Sequence, residues 1–265
     1  VDVTAERADT EKLQAEIVTS FEGEHVASET VDVDGDAASA TFSIKNPHLW
    51  WPNGMGRQNL YDISVTLKTE DGSTLDSVEK RIGLRTLDLV EEKDQWGTSF
   101  RFEANGVPFF TKGANWIPAD VFQPRVTDEV YRHHLQSCAD ANMNMIRVWG
   151  GGIYEEDTFY DICDELGLCV WQDFMFACGS YPAKRRSFLN NVKIEAEQNL
   201  KRLHHHACIA LYCGNNEMEG FVATHGGTHG IMGKDEYRLL FDELLPGLVE
   251  KHHPEADYIP TIPYS

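Results

Sequence analysis

The spacing of apolar residues changes part-way along this chain of 265 residues. The first third contains short apolar runs separated by turn dipeptides such as Asp34-Gly35 and Asp71-Gly72. The runs are residues 13–18, 40–44, 62–67 and 77–82. Short apolar runs between Asp-Gly dipeptides are typical of strands joined by tight turns. The pattern predicts a small antiparallel β-sandwich over residues 1–88.

The remaining residues, 89–265, first predict a hairpin around Asn105-Gly106 and then strands that alternate with helices. Four apolar stripes have the spacing of amphipathic helices: residues 131–138, 159–166, 192–203 and 237–244. Five short apolar runs are candidate strands: residues 109–113, 145–149, 168–172, 209–213 and 258–262. Such alternation predicts a parallel sheet, either doubly wound or closed into a barrel.

Polar side chains follow the candidate strands. The run 209–213 carries no charge and ends abruptly in Gly214-Asn215-Asn216-Glu217, as expected of a strand that is buried on both faces. Asn115, Arg147 and Asp173 lie near the ends of three earlier strands. Polar groups that converge at the carboxyl ends of successive strands favour a β/α barrel, in which Glu217 is the leading candidate for a catalytic acid. A barrel needs eight strands and at most five fit here.

Composition excludes several classes of partner. The net charge of −20, from 43 acidic and 23 basic residues, disfavours nucleic acid. The sequence contains no apolar run of 18 residues, so it predicts no membrane-spanning helix. The six cysteines fall mostly inside apolar patterns and read as small buried hydrophobes, so they favour a reducing compartment such as the cytoplasm over a disulfide framework.

Five segments together resemble the β-mannosidases of glycoside hydrolase family 2. They are NPHLWWPNG at 46–54, KGANWIPAD at 112–120, NMNMIRVWGGG at 142–152, VWQDFMFAC at 170–178 and GNNE at 214–217. The resemblance runs from about residue 40 to the end of the chain. It implies an immunoglobulin-like β-sandwich over residues 1–88, followed over residues 89–265 by about five of the eight strands of a (β/α)8 barrel.

The resemblance also implies a function, that of a retaining exo-β-mannosidase that hydrolyses terminal β-D-mannosides. Glu217 matches the family's acid/base, and Asn216 matches the residue that binds the 2-hydroxyl of the sugar. The family's nucleophile is a second glutamate after strand seven, which this chain does not contain. Retaining enzymes need both carboxyl groups about 5 Å apart, so the isolated chain is expected to be inactive and resembles a middle segment of a longer protein.

Four further residues are candidates for substrate binding. Arg147 lies in a buried strand and needs a carboxylate partner, so it either contacts substrate or supports the site. Asp173 either binds sugar hydroxyls or pairs with Arg147. Trp149 and Trp116 either form an aromatic wall for a pyranose ring or pack in the core.

Several other motifs have plainer interpretations. Gly150-Gly151-Gly152 lacks the full dinucleotide-binding spacing and predicts a tight turn. His204-His205-His206 cannot all face one ion from a helix end, so no metal and no cofactor are expected. His225 and His229 belong to a glycine-rich stretch that either shapes the substrate pocket or simply connects two elements.

Two alternative functions stay open from the sequence. One is another family 2 activity, such as β-galactosidase, β-glucuronidase or exo-β-glucosaminidase. The other is a non-catalytic carbohydrate-binding role. Because an incomplete barrel leaves its first and last strands unpaired, self-association through these edges is also a hypothesis.

Overall fold

The computed structural model describes residues 1–6, 11–226 and 232–263. It divides into two compact units. The first unit comprises Val1–Leu49 and Asn59–Leu84, and the second comprises Trp50–Gln58 and Arg85–Ser265. Part of the segment 46–54, which carries the resemblance, therefore belongs to the second unit.

The first unit is built from antiparallel strands. Its strands are β1 (Asp2–Thr4), β2 (Leu13–Phe21), β3 (Glu24–Asp32), β4 (Ala37–Ser39), β5 (Tyr61–Thr69) and β6 (Thr74–Ile82). They form a four-stranded sheet in the order β3-β2-β5-β6 and a two-stranded sheet of β1 and β4. Leu13, Ala15 and Val33 form a buried cluster against which Val3 of β1 and Val65 of β5 pack.

Two sequence predictions in this unit need correction. Strand β3 was not predicted, because it is acidic and largely exposed and shows no apolar alternation. It forms because backbone hydrogen bonding to β2 does not depend on side-chain polarity. Residues 40–44 are predicted to form a strand, but β4 ends at Ser39. Ala40 still exchanges backbone hydrogen bonds with Val1, and residues 41–44 pair with no strand in the described part of the chain.

The second unit begins with a three-stranded antiparallel sheet and continues with a parallel sheet. The antiparallel strands are β7 (Leu87–Val90), β8 (Arg101–Ala104) and β9 (Val107–Phe109). The parallel strands are β10 (Gly113–Trp116), β11 (Met145–Val148), β12 (Cys169–Asp173), β13 (Ile209–Cys213) and β14 (Asp257–Ile259). They neighbour one another in chain order, so each connection leads to the adjacent strand.

Helices connect the parallel strands. They are α1 (Asp128–Asp140), α2 (Asp157–Leu166), α3 (Arg186–Leu203), α4 (Met218–His225), α5 (Lys234–Tyr237) and α6 (Leu245–His252), with a π-helical segment Arg238–Leu244 between the last two. Helix α2 ends at Gly167, whose φ of 72° is the left-handed conformation that glycine tolerates. Within the described part of the chain, no helix combines the length and the apolar character needed to cross a bilayer.

The predicted strands agree best with the structure at the centre of the parallel sheet. All five residues of β12 and of β13 are buried, which confirms the prediction of a two-sided buried strand at 209–213. The first strand begins at Gly113 rather than at residue 109 and is mostly exposed, because it lies at an edge of the described sheet. The last strand ends at Ile259, one residue before Pro260, which has no amide hydrogen for a ladder.

His253 makes the second unit sensitive to acid. The ring is buried, and its Nδ1 lies 3.2 Å from the Tyr212 hydroxyl. Burial and, to a smaller extent, the nearby positive charges of Arg85 and His204 together lower the pKa of His253 to about 4. The unfolded state, with an ordinary histidine pKa near 6.5, therefore binds more protons between these two values.

We expect protonation of this histidine to reduce the free energy of unfolding by up to about 3 kcal/mol as the pH falls from 6.5 to about 4. Above pH 6.5 the ring is neutral in both states, and the full stability of the second unit is present. All six tryptophans lie in the second unit, so urea unfolding followed by tryptophan fluorescence reports on that unit. The His253→Gln variant is expected to lose stability less steeply over this pH range. Parallel curves for the two proteins would contradict the prediction.

Candidate active site

Three consecutive strands of the parallel sheet present polar side chains on one face. The register pairs Asn115 of β10 with Arg147 of β11, and Arg147 with Trp171 of β12. Residues paired across strands share a face, and successive residues of a strand alternate between faces. Asp173, two residues beyond Trp171, therefore lies on the same face as Arg147.

Arg147 and Asp173 form a bidentate ion pair. Nε of Arg147 donates to Oδ1 of Asp173 at 3.1 Å, and Nη2 donates to Oδ2 at 2.7 Å. The two side chains are 15% and 0% exposed, respectively. Burial raises the pKa of Asp173, and the hydrogen bonds and charge of Arg147 oppose this rise. The pair confirms the expectation that Arg147 has a carboxylate partner.

Two other groups hold Asp173 in place. The backbone N–H of Gly150 donates to Oδ2 at 3.0 Å, and Nε1 of Trp171 donates to Oδ1 at 3.1 Å. A Cβ at position 150 would lie 2.7 Å from the carbonyl oxygens of Phe174 and Phe176, so only glycine fits there. The glycine run after β11 is thus a tight turn that brings its backbone to Asp173.

Arg147 also fixes the orientation of Asn216. Its Nη2 donates to Oδ1 of Asn216 at 2.9 Å, and its Nη1 donates to Oδ1 of Asn115 at 3.2 Å. A guanidinium group has only donors, so the Asn216 amide turns its oxygen toward Arg147. The amide nitrogen is left as a donor on the other side, where it donates to Sγ of Cys178 at 3.4 Å.

Glu217 follows Asn216 at the carboxyl end of β13. Its side chain is exposed, and α4 begins at the next residue. Its φ of 63° is left-handed, a conformation uncommon for residues other than glycine. Its backbone N–H donates to the carbonyl oxygen of Ile262 at 2.8 Å, and Sγ of Cys178 lies 3.7 Å from Oε2. The structure thus brings Glu217, Asn216, Arg147 and Asp173 into one chain of contacts.

Cys178 is a neighbour that the sequence analysis did not single out. It was interpreted as a buried hydrophobe like Cys163 and Cys213, which are buried, but Cys178 is exposed and has a left-handed φ of 46°. Its backbone N–H donates to the carbonyl oxygen of Asn216 at 3.3 Å. The interpretation failed because Cys178 lies in a turn beyond the carboxyl end of β12, where the apolar run no longer implies burial.

Asn215 is a second such residue. It is fully buried, and its Oδ1 accepts from the N–H of Met218 at 2.9 Å and from the hydroxyl of Thr261 at 2.7 Å. Its Nδ2 donates to the carbonyl oxygen of Pro260 at 2.7 Å. These bonds tie the start of α4 to the segment after β14. The sequence did offer a signal for this residue. An asparagine just before the start of a helix is typical of a side chain whose oxygen accepts a hydrogen bond from a backbone N–H of the first turn.

The two candidate tryptophans lie in different places. Trp149, half-buried, follows β11, and its indole lies so close to Gly151 that a Cβ there would come within 2.0 Å of Cη2. Trp116 is adjacent to Asn115 and therefore points to the opposite face of β10. There it packs against Tyr131 and Phe159 of the helices, with ring centroids at 6.3 and 5.0 Å. The structure does not bring Trp116 to the Arg147–Asp173 pair.

The histidine motifs lie apart from this cluster or outside the described residues. His204 caps the end of α3, and Nδ1 of His206 lies 2.7 Å from Oδ2 of Asp164. Asp164, His206 and Cys208 have potential ligand atoms within 4.8 Å of one another. The carboxylate of Asp164 already bonds His206 and the N–H of Cys208, at 2.7 Å each, so the group reads as a buried hydrogen-bonded cluster. His229 lies outside the described residues, and His225 is exposed on α4.

Comparison with known proteins shows what the chain is similar to. The family model for glycosyl hydrolases family 2 matches residues 1–85. The chain is 42% identical over 260 residues to β-mannosidase B of Emericella nidulans, and this alignment covers 95% of the chain and 31% of that relative. β-Mannosidase B of Aspergillus oryzae is likewise 42% identical over 263 residues, or 96% of this chain and 31% of the relative.

Solved structures agree with this similarity. The β-D-mannosidase of Dictyoglomus thermophilum has a TM-score of 0.90 and 41% identity, and the alignment covers 98% of this chain and 32% of that one. The β-glucuronidase of Parabacteroides merdae has a TM-score of 0.75 at 21% identity, over 95% of this chain and 29% of that one, which shows a shared fold alone. The chain spans about a third of the length of the relatives it matches.

Proposed function

We propose that this chain supplies the acid/base half of a retaining exo-β-mannosidase that hydrolyses terminal β-D-mannosides or manno-oligosaccharides. One observation carries the proposal. An exposed glutamate, Glu217, lies just beyond the carboxyl end of a buried parallel strand and adjoins Asn216, whose amide oxygen accepts from Arg147 of the Arg147–Asp173 pair. The similarity to β-mannosidases over 95% of the chain supports the choice of mannoside.

The proposed chemistry divides the reaction between two carboxyl groups. The carboxyl group of Glu217 donates a proton to the glycosidic oxygen as the bond from C1 to that oxygen breaks. A second carboxylate, outside this chain, attacks C1 and forms a glycosyl-enzyme. The carboxylate of Glu217 then removes a proton from water, and the resulting hydroxyl attacks C1 and releases the second carboxylate. The protonated leaving group departs before this water enters, the free sugar departs last, and the proton taken from water leaves Glu217 protonated again.

The neighbouring residues bind and orient the sugar in this proposal. The Nδ2 group of Asn216, turned away from Arg147, donates a hydrogen bond to the 2-hydroxyl of the mannose ring, which can strengthen in the transition state. Arg147 and Asp173 act mainly on Asn216 rather than on the substrate, because their charges are already paired. Trp149 forms an aromatic wall at the mouth of the site, and Trp116 supports β10 from its other face.

We propose a matching architecture for the two regions. Residues 1–88 form an immunoglobulin-like sandwich, supported by two antiparallel sheets and their buried cluster. Residues 89–265 form the first part of a (β/α)8 barrel, supported by five parallel strands in chain order with helices between them. In a closed barrel, β10 and β14 would each have a further neighbour.

A substrate panel tests the proposed function. This chain and a version extended through the expected second glutamate would be assayed with p-nitrophenyl β-mannoside, β-galactoside, β-glucuronide and β-glucosaminide. Hydrolysis of the mannoside by the extended version alone is the expected result. Preference for another glycoside would replace the mannosidase assignment by that activity, and binding of a mannoside without turnover by either protein would favour a carbohydrate-binding role.

The exposed sheet edges give a further expected outcome. Within the described sheet, β10 and β14 each pair on one side only, and unpaired strand edges invite pairing with another chain. We expect the apparent mass of the isolated chain in sedimentation velocity to rise with its concentration, because the chain self-associates. The apparent mass of the extended version should stay closer to that of a single chain. A monodisperse monomer of the isolated chain at all concentrations would contradict this expectation.

A further inference from the structure

A shallow groove lies beside Glu217 on the surface of α4. It has a volume of about 340 Å³ and is lined by Glu217, Gly220, Phe221, Thr224, His225 and Pro263. The helical members are spaced three, four, seven and eight residues from Glu217, so they form one face of the helix. A volume of this size is at the lower end of that of small-molecule sites, which run from roughly 300 to 1,000 Å³.

The groove and the Arg147–Asp173 cluster are separate surfaces that share Glu217 as their boundary. Arg147, Asp173 and Asn216 do not line the groove. In a glycosidase, the acid/base stands at the bond that breaks, with the cleaved sugar on one side and the leaving group on the other. Because Asn216 and Arg147 mark the side of the cleaved sugar, the groove corresponds to the side of the leaving group.

The groove has the chemistry that a sugar leaving group requires. Phe221 is 41% exposed and offers an aromatic surface to the apolar face of a pyranose ring. Thr224 and His225 are exposed on the same helix. The Thr224 hydroxyl donates to the carbonyl oxygen of Gly220 at 2.8 Å and lies 2.6 Å from Nδ1 of His225, and a hydroxyl oxygen that donates can also accept a hydrogen bond from a sugar hydroxyl. A few polar groups around an aromatic surface are typical of sites that bind and orient small molecules.

We propose that this groove is the leaving-group subsite, that it takes a hexopyranose of a manno-oligosaccharide, and that Phe221 is its specificity-determining residue. The inference rests on the proposed function of Glu217 and adds the class of leaving group. It distinguishes an enzyme adapted to oligosaccharides from one that recognises the terminal mannose alone.

Gly220 offers a way to fill the groove without disturbing the helix. A Cβ built at this position meets no atom within 4 Å, so a larger side chain extends into open space. Ala223 is exposed on the same helix and does not line the groove. Gly220→Leu therefore fills the subsite, and Ala223→Leu is the matched control for an added leucine on α4.

The test compares two substrates in the version extended through the second glutamate. The leaving group of β-1,4-mannobiose is a sugar. The leaving group of β-mannosyl fluoride is a fluoride ion, which cannot occupy a sugar subsite and needs little acid assistance. We expect Phe221→Ala and Gly220→Leu to lower kcat/KM for mannobiose by about tenfold, the lower end of what apolar pocket contacts contribute. For β-mannosyl fluoride, kcat/KM of both variants is expected to stay within about twofold of the parent. For Ala223→Leu, kcat/KM should stay within about twofold for both substrates, a change much smaller than the tenfold loss expected for mannobiose.

The outcomes separate the two proposals. An equal loss on both substrates would show that α4 acts through Glu217 or through folding, and no loss on either would show that the leaving group binds elsewhere; each result overturns the subsite. A parent protein that hydrolyses neither substrate overturns the proposed function, and the subsite falls with it.

Discussion

We expect Glu217→Gln in the extended version to lower kcat/KM for β-1,4-mannobiose by about 10²- to 10⁴-fold, the range that general acid catalysis contributes. Glutamine keeps the shape of the side chain but cannot deliver a proton to the glycosidic oxygen. Because the side chain of Glu217 is exposed, the substitution should change the free energy of unfolding little, and a folding defect would not account for such a loss of activity. Initial rates over a range of substrate concentrations would measure the effect.

The leaving group provides the decisive control for this prediction. A 2,4-dinitrophenolate leaves without a proton, so kcat/KM for 2,4-dinitrophenyl β-mannoside should stay within about tenfold of the parent, below the range that general acid catalysis contributes. Glu250→Gln makes the same chemical change at an exposed position of α6 and should leave both values unchanged. Equal losses on the activated and the natural substrate would contradict the acid role of Glu217.

The second large effect concerns stability. We expect Asp173→Ala to lower the free energy of unfolding of the second unit by about 3 to 5 kcal/mol, because the substitution leaves a mostly buried guanidinium without its counter-charge. The N–H groups of Gly150 and Trp171 also lose their acceptor. Urea unfolding followed by tryptophan fluorescence measures the change in this unit alone, since the first unit has no tryptophan.

Two further variants test the physical reason. Removing both charges together, as in Arg147→Met with Asp173→Leu, should recover part of the loss, because a buried pair replaced by apolar groups leaves no unpaired charge. Glu243→Ala breaks the exposed pair with Arg238 and should change the free energy of unfolding by less than about 1 kcal/mol. If the double variant is less stable than Asp173→Ala, the ion pair is not the origin of the effect.

Asp173 also shows how far the sequence could go within the candidate site. A buried arginine requires a carboxylate partner on energetic grounds, so the need for a pair followed from the sequence. The sequence named Asp173 as one possible partner and left sugar binding as its alternative role. The choice depends on the register between β11 and β12, which places Arg147 beside Trp171 and two residues from Asp173. An alternating apolar pattern can set the register of a strand, but β12 is buried on both faces and offers no such alternation.

Trp116 and Cys178 illustrate the same limit. A shift of the first parallel strand from residue 109 to Gly113 leaves local apolar content almost unchanged, but only the register shows that Asn115 shares the face of Arg147 and that Trp116 points to the helices. Cys178 reaches Glu217 through a left-handed turn, a conformation that its residue type does not predict.

The sequence by itself determined the change from antiparallel strands to strands alternating with helices, the buried strand 209–213 and the position of Glu217 just beyond it. These features depend on periodicity and on uncharged runs, which are local properties of the chain. Only the tertiary structure decided that Asp173 pairs with Arg147, that this pair turns the amide of Asn216, and that a groove adjoins Glu217. The ion pair and its contact with Asn216 join residues distant in sequence, and the groove joins one face of α4 to the distant Pro263. Their distances are set by how strands align and helices pack, not by the residues beside them in the chain.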